Sequence, residues 1–221
     1  LEGIDLQNLV DRFGPMEPER ALHVIEQVAR SLDEAHELGL VHRDIKPANI
    51  FVCRLGNELD YVKVLDLGLV KPRWIAEGSA VSVEGTILGT PAFMAPEAAA
   101  GRSVDGRADL YSLGCVAYWL LTGTWVFDAR SAAGLLVAHL HQTPERQSER
   151  LGHEIPEPVE SLLLDLLQKD PELRLGSARE LIGRVRECRR AIRDDWNEER
   201  ALSWWQRHLE PVSSPRPALA L

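Results

Sequence analysis

Asp44, Lys46, Asn49 and Asp66 are the residues whose types and spacing best suit chemistry. The run His42-Arg43-Asp44-Ile45-Lys46-Pro47-Ala48-Asn49 holds a carboxylate, an ammonium and a carboxamide close together. Asp66-Leu67-Gly68 follows, and then Gly89-Thr90-Pro91-Ala92-Phe93-Met94-Ala95-Pro96-Glu97. Taken singly, an aspartate is most often a solvated or capping residue. A spacing that keeps His, Arg, Asp, Lys and Asn together argues against that. One carboxylate and one amide carbonyl, backed by phosphate oxygens, suit magnesium, which takes hard oxygen ligands. Phosphoryl transfer asks the protein for positioning, a base for the incoming hydroxyl and metal ions against phosphate charge.

In this order and spacing, the three motifs resemble the larger, C-terminal lobe of a eukaryotic-type protein kinase of the serine/threonine class. The texture, including the Leu166-to-Arg174 run LLQKDPELR, is similar to that of bacterial members. The resemblance implies roles for individual residues. Asp44 matches the catalytic aspartate that orients the substrate hydroxyl and accepts its proton. Lys46 matches the lysine that steadies the transferring phosphate, and it points to Ser/Thr substrates. Asn49 and Asp66 match the two magnesium ligands. Leu67 stands where Phe is usual, an apolar-for-apolar exchange. The Asn49-to-Asp66 gap is a few residues longer than common, and the excess is assigned to the turn around Leu55 to Asp60.

Further positions extend the resemblance. Thr90 matches the threonine that contacts both the catalytic aspartate and lysine, which again favours Ser/Thr substrates. Phe51 matches the apolar floor under adenine. Leu1-Glu2-Gly3 is similar to the end of the hinge between lobes, which places Asp5 where an acidic residue often bonds the ATP ribose. His42 and Leu67 match members of an apolar column linking the lobes. Asp109 matches the aspartate that anchors the backbone at His42-Arg43, and Glu97 is expected to pair with Arg174. These last are structural roles. Arg43 matches an arginine that often binds an activation-loop phosphate. Thr86 stands at the position commonly phosphorylated, with Ser79 and Ser82 as alternatives.

Composition is ordinary for a soluble globular domain. The 221 residues carry 45% hydrophobic and 27% charged side chains and a formal charge of −9. They can bury one full core. The acidity argues against a nucleic-acid protein, which would show a basic face. The three cysteines are odd in number and widely spaced, so they are read as reduced thiols in a cytoplasmic domain. The seven histidines show no metal spacing. Leu110 to Leu121, the longest apolar stretch, is too short to span a bilayer.

The elements that must position these groups follow from periodicity. Leu6–Phe13 reads as a short helix and Pro18 to about Leu38 as a longer one, with Gly39 at its C-cap. Ile50–Val52 and Tyr61–Leu65 read as short strands around a Gly56-Asn57 turn. Residues 69–104 read as a long loop. Helices are expected over about Gly106–Leu121, 131–141, 159–168, 178–192 and Glu198–His208. The last holds Trp204 and Trp205, which are expected to dock on the lobe. Pro211 to Leu221 is expected to be unfolded.

The expected fold is mainly α, with a small β-hairpin region: a kinase-like C-terminal lobe over 1–193 and a tail over 194–221. The complete enzyme would be an α+β two-lobed domain. No glycine-rich loop or strand lysine precedes the motifs, and Leu1 is not a Met, so the chain looks like a fragment. The implied activity is transfer of the ATP γ-phosphate to protein Ser/Thr hydroxyls, with ATP and Mg2+ as cofactors and protein substrates as partners. The fragment alone is expected to be nearly inactive, because the missing groups hold the α- and β-phosphates. The competing reading is a pseudokinase-like binding or scaffold module.

Overall fold

The computed structural model describes residues 2–66 and 91–209. Three strands form one antiparallel sheet in the order β1 (Gly3–Asp5), β2 (Ile50–Leu55), β3 (Glu58–Val64). Helices account for most of the rest. They are α1 (Leu6–Phe13), α2 (Pro18–Glu37), α3 (Pro96–Ala99), α4 (Gly106–Thr122), α5 (Ala132–His141), α6 (Gln147–Leu151), α7 (Glu157–Leu166), α8 (Ala178–Ala191) and α9 (Glu198–His208).

Helix α4 is the axle of the fold. Every residue from Ala108 to Thr122 is buried. A helix apolar on all sides must be covered on all sides, and α2, α6, α7 and α8 pack around it. At Gly114 an added Cβ would lie 2.8 Å from Leu166 Cβ, so the glycine lets α7 approach α4 closely. The helix ends at Gly123, whose φ of 68° is left-handed. Asp105 caps its start by accepting the Arg107 N–H.

Helix α2 lays Leu22, Ile25, Val28, Ala29 and Leu32 against this core, all at most 1% exposed. Each such fully buried aliphatic of valine size or larger contributes about 1.5–3 kcal/mol. Gly39, at φ 73°, turns the chain out of α2 toward the loop with Asp44.

The sequence missed β1, because three residues carry no readable alternation. Gly3 pairs with Cys53, and an added Cβ there would sit 2.4 Å from the Val52 carbonyl oxygen. The hairpin strands run longer than the apolar runs that signalled them, since backbone pairing extends to Leu55 and Glu58 near the turn. Helices α3 and α6 are too short for periodicity to reveal. Helix α7 starts at Glu157, two residues before the expected onset, with Pro158 in its first turn.

The tryptophan pair of α9 lies on the lobe. Trp205 is buried, and Trp204 stacks edge-on against Phe13 of α1. All three cysteines are buried and free. Among the described residues, no helix is long and apolar enough to cross a membrane.

Candidate active site

The loop between α2 and β2 is held from below by one carboxylate. Asp109, 1% exposed on α4, accepts the His42 N–H on Oδ2 and the Arg43 N–H on Oδ1, both at 2.8 Å. Arg43 is left-handed at φ 66°. That conformation is costly for a residue with a side chain and persists only where the surroundings enforce it, and the two bonds to Asp109 supply that restraint. His36 adds a third bond, Nε2 to Asp109 Oδ2 at 2.8 Å. The sequence reading missed His36. Its only signal was a polar residue at the end of a core-facing helix. Gly106 makes room for it, since a Cβ there would lie 2.6 Å from His36 Nδ1.

Two other candidate residues meet at Asp44. Lys46 Nζ donates to Asp44 Oδ2 at 2.7 Å, and Asn49 Nδ2 donates to the same oxygen at 2.9 Å. Asn49 Nδ2 also donates to the Asp44 carbonyl at 2.9 Å. Both amide hydrogens of Asn49 are therefore turned toward Asp44, and its Oδ1 is left as an acceptor. Asp44 Oδ1 accepts nothing among the described residues. The Asp44 side chain is 38% exposed, open to an incoming group.

His42 ties this loop to the end of β3. Its Nδ1 accepts the Asp44 N–H at 3.3 Å, so the ring hydrogen is on Nε2, which donates to the Leu65 carbonyl at 3.0 Å. The Leu65 N–H donates to the Asn49 carbonyl at 2.8 Å. Asp66 follows directly, left-handed at φ 55° and exposed. Among the described residues its carboxylate has no ion pair. A free carboxylate and a free amide oxygen on adjoining strand ends form a hard-oxygen donor set that fits magnesium.

Asp5 and Phe51 are register partners between β1 and β2. Directly opposed residues of an antiparallel pair lie about 4.5–5.5 Å apart at Cα, so the two candidates for ATP ribose and adenine stand side by side. Asp5 also caps α1, accepting the Asn8 N–H at 2.9 Å.

Glu97 and Arg174 form a buried bidentate pair, with both contacts at 2.7 Å. Arg174 gives its other hydrogens to the carbonyls of Gln168, Lys169 and Arg107, which satisfies all five donors. Leu67, Ser79, Ser82, Thr86 and Thr90 lie outside the described residues. A cavity of about 130 Å³ separates Arg43–Lys46 from Phe93–Ala95.

The sequence matches the family model described as "Protein kinase domain" over residues 1–185. It is 39% identical over 178 residues to the serine/threonine-protein kinase pkn3 of Myxococcus xanthus, covering 80% of this chain and 32% of that protein. It is 38% identical over 183 residues to PknB of Mycobacterium tuberculosis, covering 82% and 28%. The chain thus spans about a third or less of the length of these curated relatives. Among solved structures, the PknI kinase domain of Mycobacterium tuberculosis superposes with a TM-score of 0.62 at 28% identity, covering 85% of this chain and 63% of that one. Rad53 in complex with AMP-PNP superposes at 0.67 and 26%, covering 83% and 44%.

Proposed function

Since this chain belongs to the protein kinase family, we propose that it is the larger lobe of a serine/threonine kinase that moves the γ-phosphate of ATP to protein hydroxyls. The carrying observation is the convergence of Lys46 and Asn49 on one oxygen of Asp44, with the other oxygen free among the described residues. A binding module would have no need of that arrangement. The lobe covers residues 1–193, with 194–221 as a tail.

Asp44 Oδ1 takes the hydrogen bond, and then the proton, of the substrate hydroxyl. Lys46 holds Asp44 in place and offsets negative charge on the transferring group. Asn49 Oδ1 and the Asp66 carboxylate would hold magnesium, which when bound neutralises phosphate charge and orients the phosphates. Phe51 underlies adenine and Asp5 reaches the ribose. Asp109 and His36 keep Arg43, next to Asp44, in its left-handed conformation, while Glu97 and Arg174 fix the base of the substrate-side loop. By the family resemblance, Thr90 would contact both Asp44 and Lys46, and a phosphate on Thr86 would pair with Arg43.

The reading is tested by expressing the gene in its genomic frame, with whatever precedes Leu1, and following phosphate transfer from labelled ATP to a protein substrate. Magnesium-dependent labelling on Ser and Thr that Asp44→Asn abolishes is the expected result. A folded full-length product that binds partners but transfers no phosphate would instead favour the scaffold reading. The 221-residue chain alone is expected to be nearly inactive. Positioning of the kind supplied by a phosphate-gripping loop is worth about 7–11 kcal/mol in effective-molarity terms.

A further inference from the structure

Strand β3 is an outer strand of the sheet, and one side chain closes part of its free edge. Gln27 of α2 accepts the Val62 N–H on Oε1 at 3.0 Å and donates from Nε2 to the Asp60 carbonyl at 2.8 Å. A neighbouring strand would make the same two kinds of bond. Gln27 Nε2 also stands 2.9 Å from His23 Nε2, one turn earlier on α2. The chemistry above makes no use of either residue.

The backbone fixes which way the amide faces. A main-chain N–H can only donate and a carbonyl can only accept. Oε1 must therefore face Val62 and Nε2 must face Asp60, which leaves the second amide hydrogen for His23. His23 Nε2 accepts it, so the ring is neutral, with its own hydrogen on Nδ1. A proton on His23 Nε2 would set two donors face to face, and the bond between the two side chains would be lost.

The rest of the surroundings act on the same ring. Burial is the main reason that its pKa lies below 6.5; Asp60 of β3 opposes this, Arg189 of α8 adds to it, and Glu26 of α2 opposes it. The fold thus favours neutral His23. The stability tied to the neutral ring is full above about 6.5 and is lost as pH falls through the lower, folded value.

What Gln27 holds is Asp60, a left-handed residue at φ 54°. A residue with a side chain keeps that conformation only where its surroundings enforce it. The Asp60 carboxylate is also the acceptor for the indole N–H of Trp205 on α9, at 2.7 Å. The hold on the Asp60 backbone and the dock for α9 therefore meet in one residue.

We propose that His23 and Gln27 form a proton-sensitive latch. Neutral His23 keeps Gln27 on the edge of β3, and so keeps Asp60 placed to dock α9; protonated His23 frees Gln27 and releases α9 from the lobe. The latch does not depend on the kinase reading.

The 221-residue chain is enough for the test. Nitrogen-15 spectra of the histidine rings at about pH 7.5 should show His23 with its hydrogen on Nδ1. A ring protonated on Nε2, or charged at that pH, overturns the proposal. As pH falls to about 5, hydrogen-exchange protection of the Val62 amide and of the Trp205 indole N–H should drop together by about ten-fold, the equivalent of one net hydrogen bond. The midpoint of that drop should coincide with the titration of His23. Separate midpoints, or a Trp205 indole that stays protected, overturn the latch. In His23→Gln, whose side-chain oxygen accepts from Gln27 throughout this range, both protons should stay protected. The same loss in the variant would place the proton elsewhere and overturn the role of His23. Should that variant fail to fold, the tautomer and the coincidence of midpoints in the unaltered chain still decide.

Discussion

Trp205 donates its indole N–H to Asp60 Oδ1 at 2.7 Å, across 145 positions of sequence. Asp60, 0% exposed at a left-handed φ of 54°, also receives the Arg20 guanidinium in two bonds of 2.9 Å. Arg20 in turn lies 3.6 Å from the centre of the Trp204 ring. Helix α9, beyond the matched family region, therefore seals a buried charge pair between α2 and β3. Trp205→Phe keeps the packing and loses one bond to a charged acceptor. The expected cost is about 1.5–3 kcal/mol of stability, read from urea unfolding. A loss within error would show that α9 merely rests on the surface.

Arg174 is the most fully engaged cation among the described residues, and its partners are a buried carboxylate and backbone carbonyls. Arg174→Leu leaves Glu97 as an uncompensated buried charge and frees three carbonyls. Removing one partner of such a pair costs about 3–5 kcal/mol. A midpoint shift of that size in chemical denaturation is expected, with the secondary structure at low denaturant unchanged. The double variant Glu97→Leu/Arg174→Leu should recover part of the loss.

Asp44→Asn tests the base directly. Its side chain is partly exposed and outside the core, so folding should be unaffected. Turnover of the full gene product should fall about 10²- to 10⁴-fold, the usual worth of a positioned general base. ATP affinity should change little. A variant with unchanged turnover would remove Asp44 from the chemistry.

Glu26 makes acid stability specific. Burial pushes its carboxyl up, but Arg30, Arg186 and Arg189 outweigh this and hold it down from 4.5 to about 2. A carboxyl depressed on folding contributes stability that is full above about 4.5 and fades as pH falls toward about 2. Glu26→Gln should therefore flatten the fall of stability between those values and lower stability at pH 7. Parallel curves for the two proteins in that window would contradict the assignment.

Phosphate at Thr86 is expected in active full-length protein, paired with Arg43, whose guanidinium makes no ion pair among the described residues. Fragment-ion spectra locate it, with Ser79 and Ser82 as the alternatives. Active protein with all three unmodified would remove this mode of control.

How far the sequence could be read depended on the range of each signal. The spacing Asp44-Lys46-Asn49 is local, and the turn Pro47–Asn49 folds it onto itself, so the cluster was legible from a single short run of residues. Helices α2 and α4 were legible because burial of a long face writes itself into apolar periodicity. Strand β1 and helices α3 and α6 were not, since a few residues hold no period.

Letters and spacings were enough for the family, the residue types at the site and the main helices, because backbone geometry and local contacts act within a few residues. Beyond Asp109 and the Glu97–Arg174 pair, what supports those groups emerged only once the chain was packed. His36 joins Asp109, Trp205 reaches Asp60, and Lys169 and His139 meet at the Tyr111 hydroxyl. Each of these joins a buried polar atom to a partner distant in sequence or on a separate element. Burial makes such a partner obligatory, but no local pattern says which residue it will be.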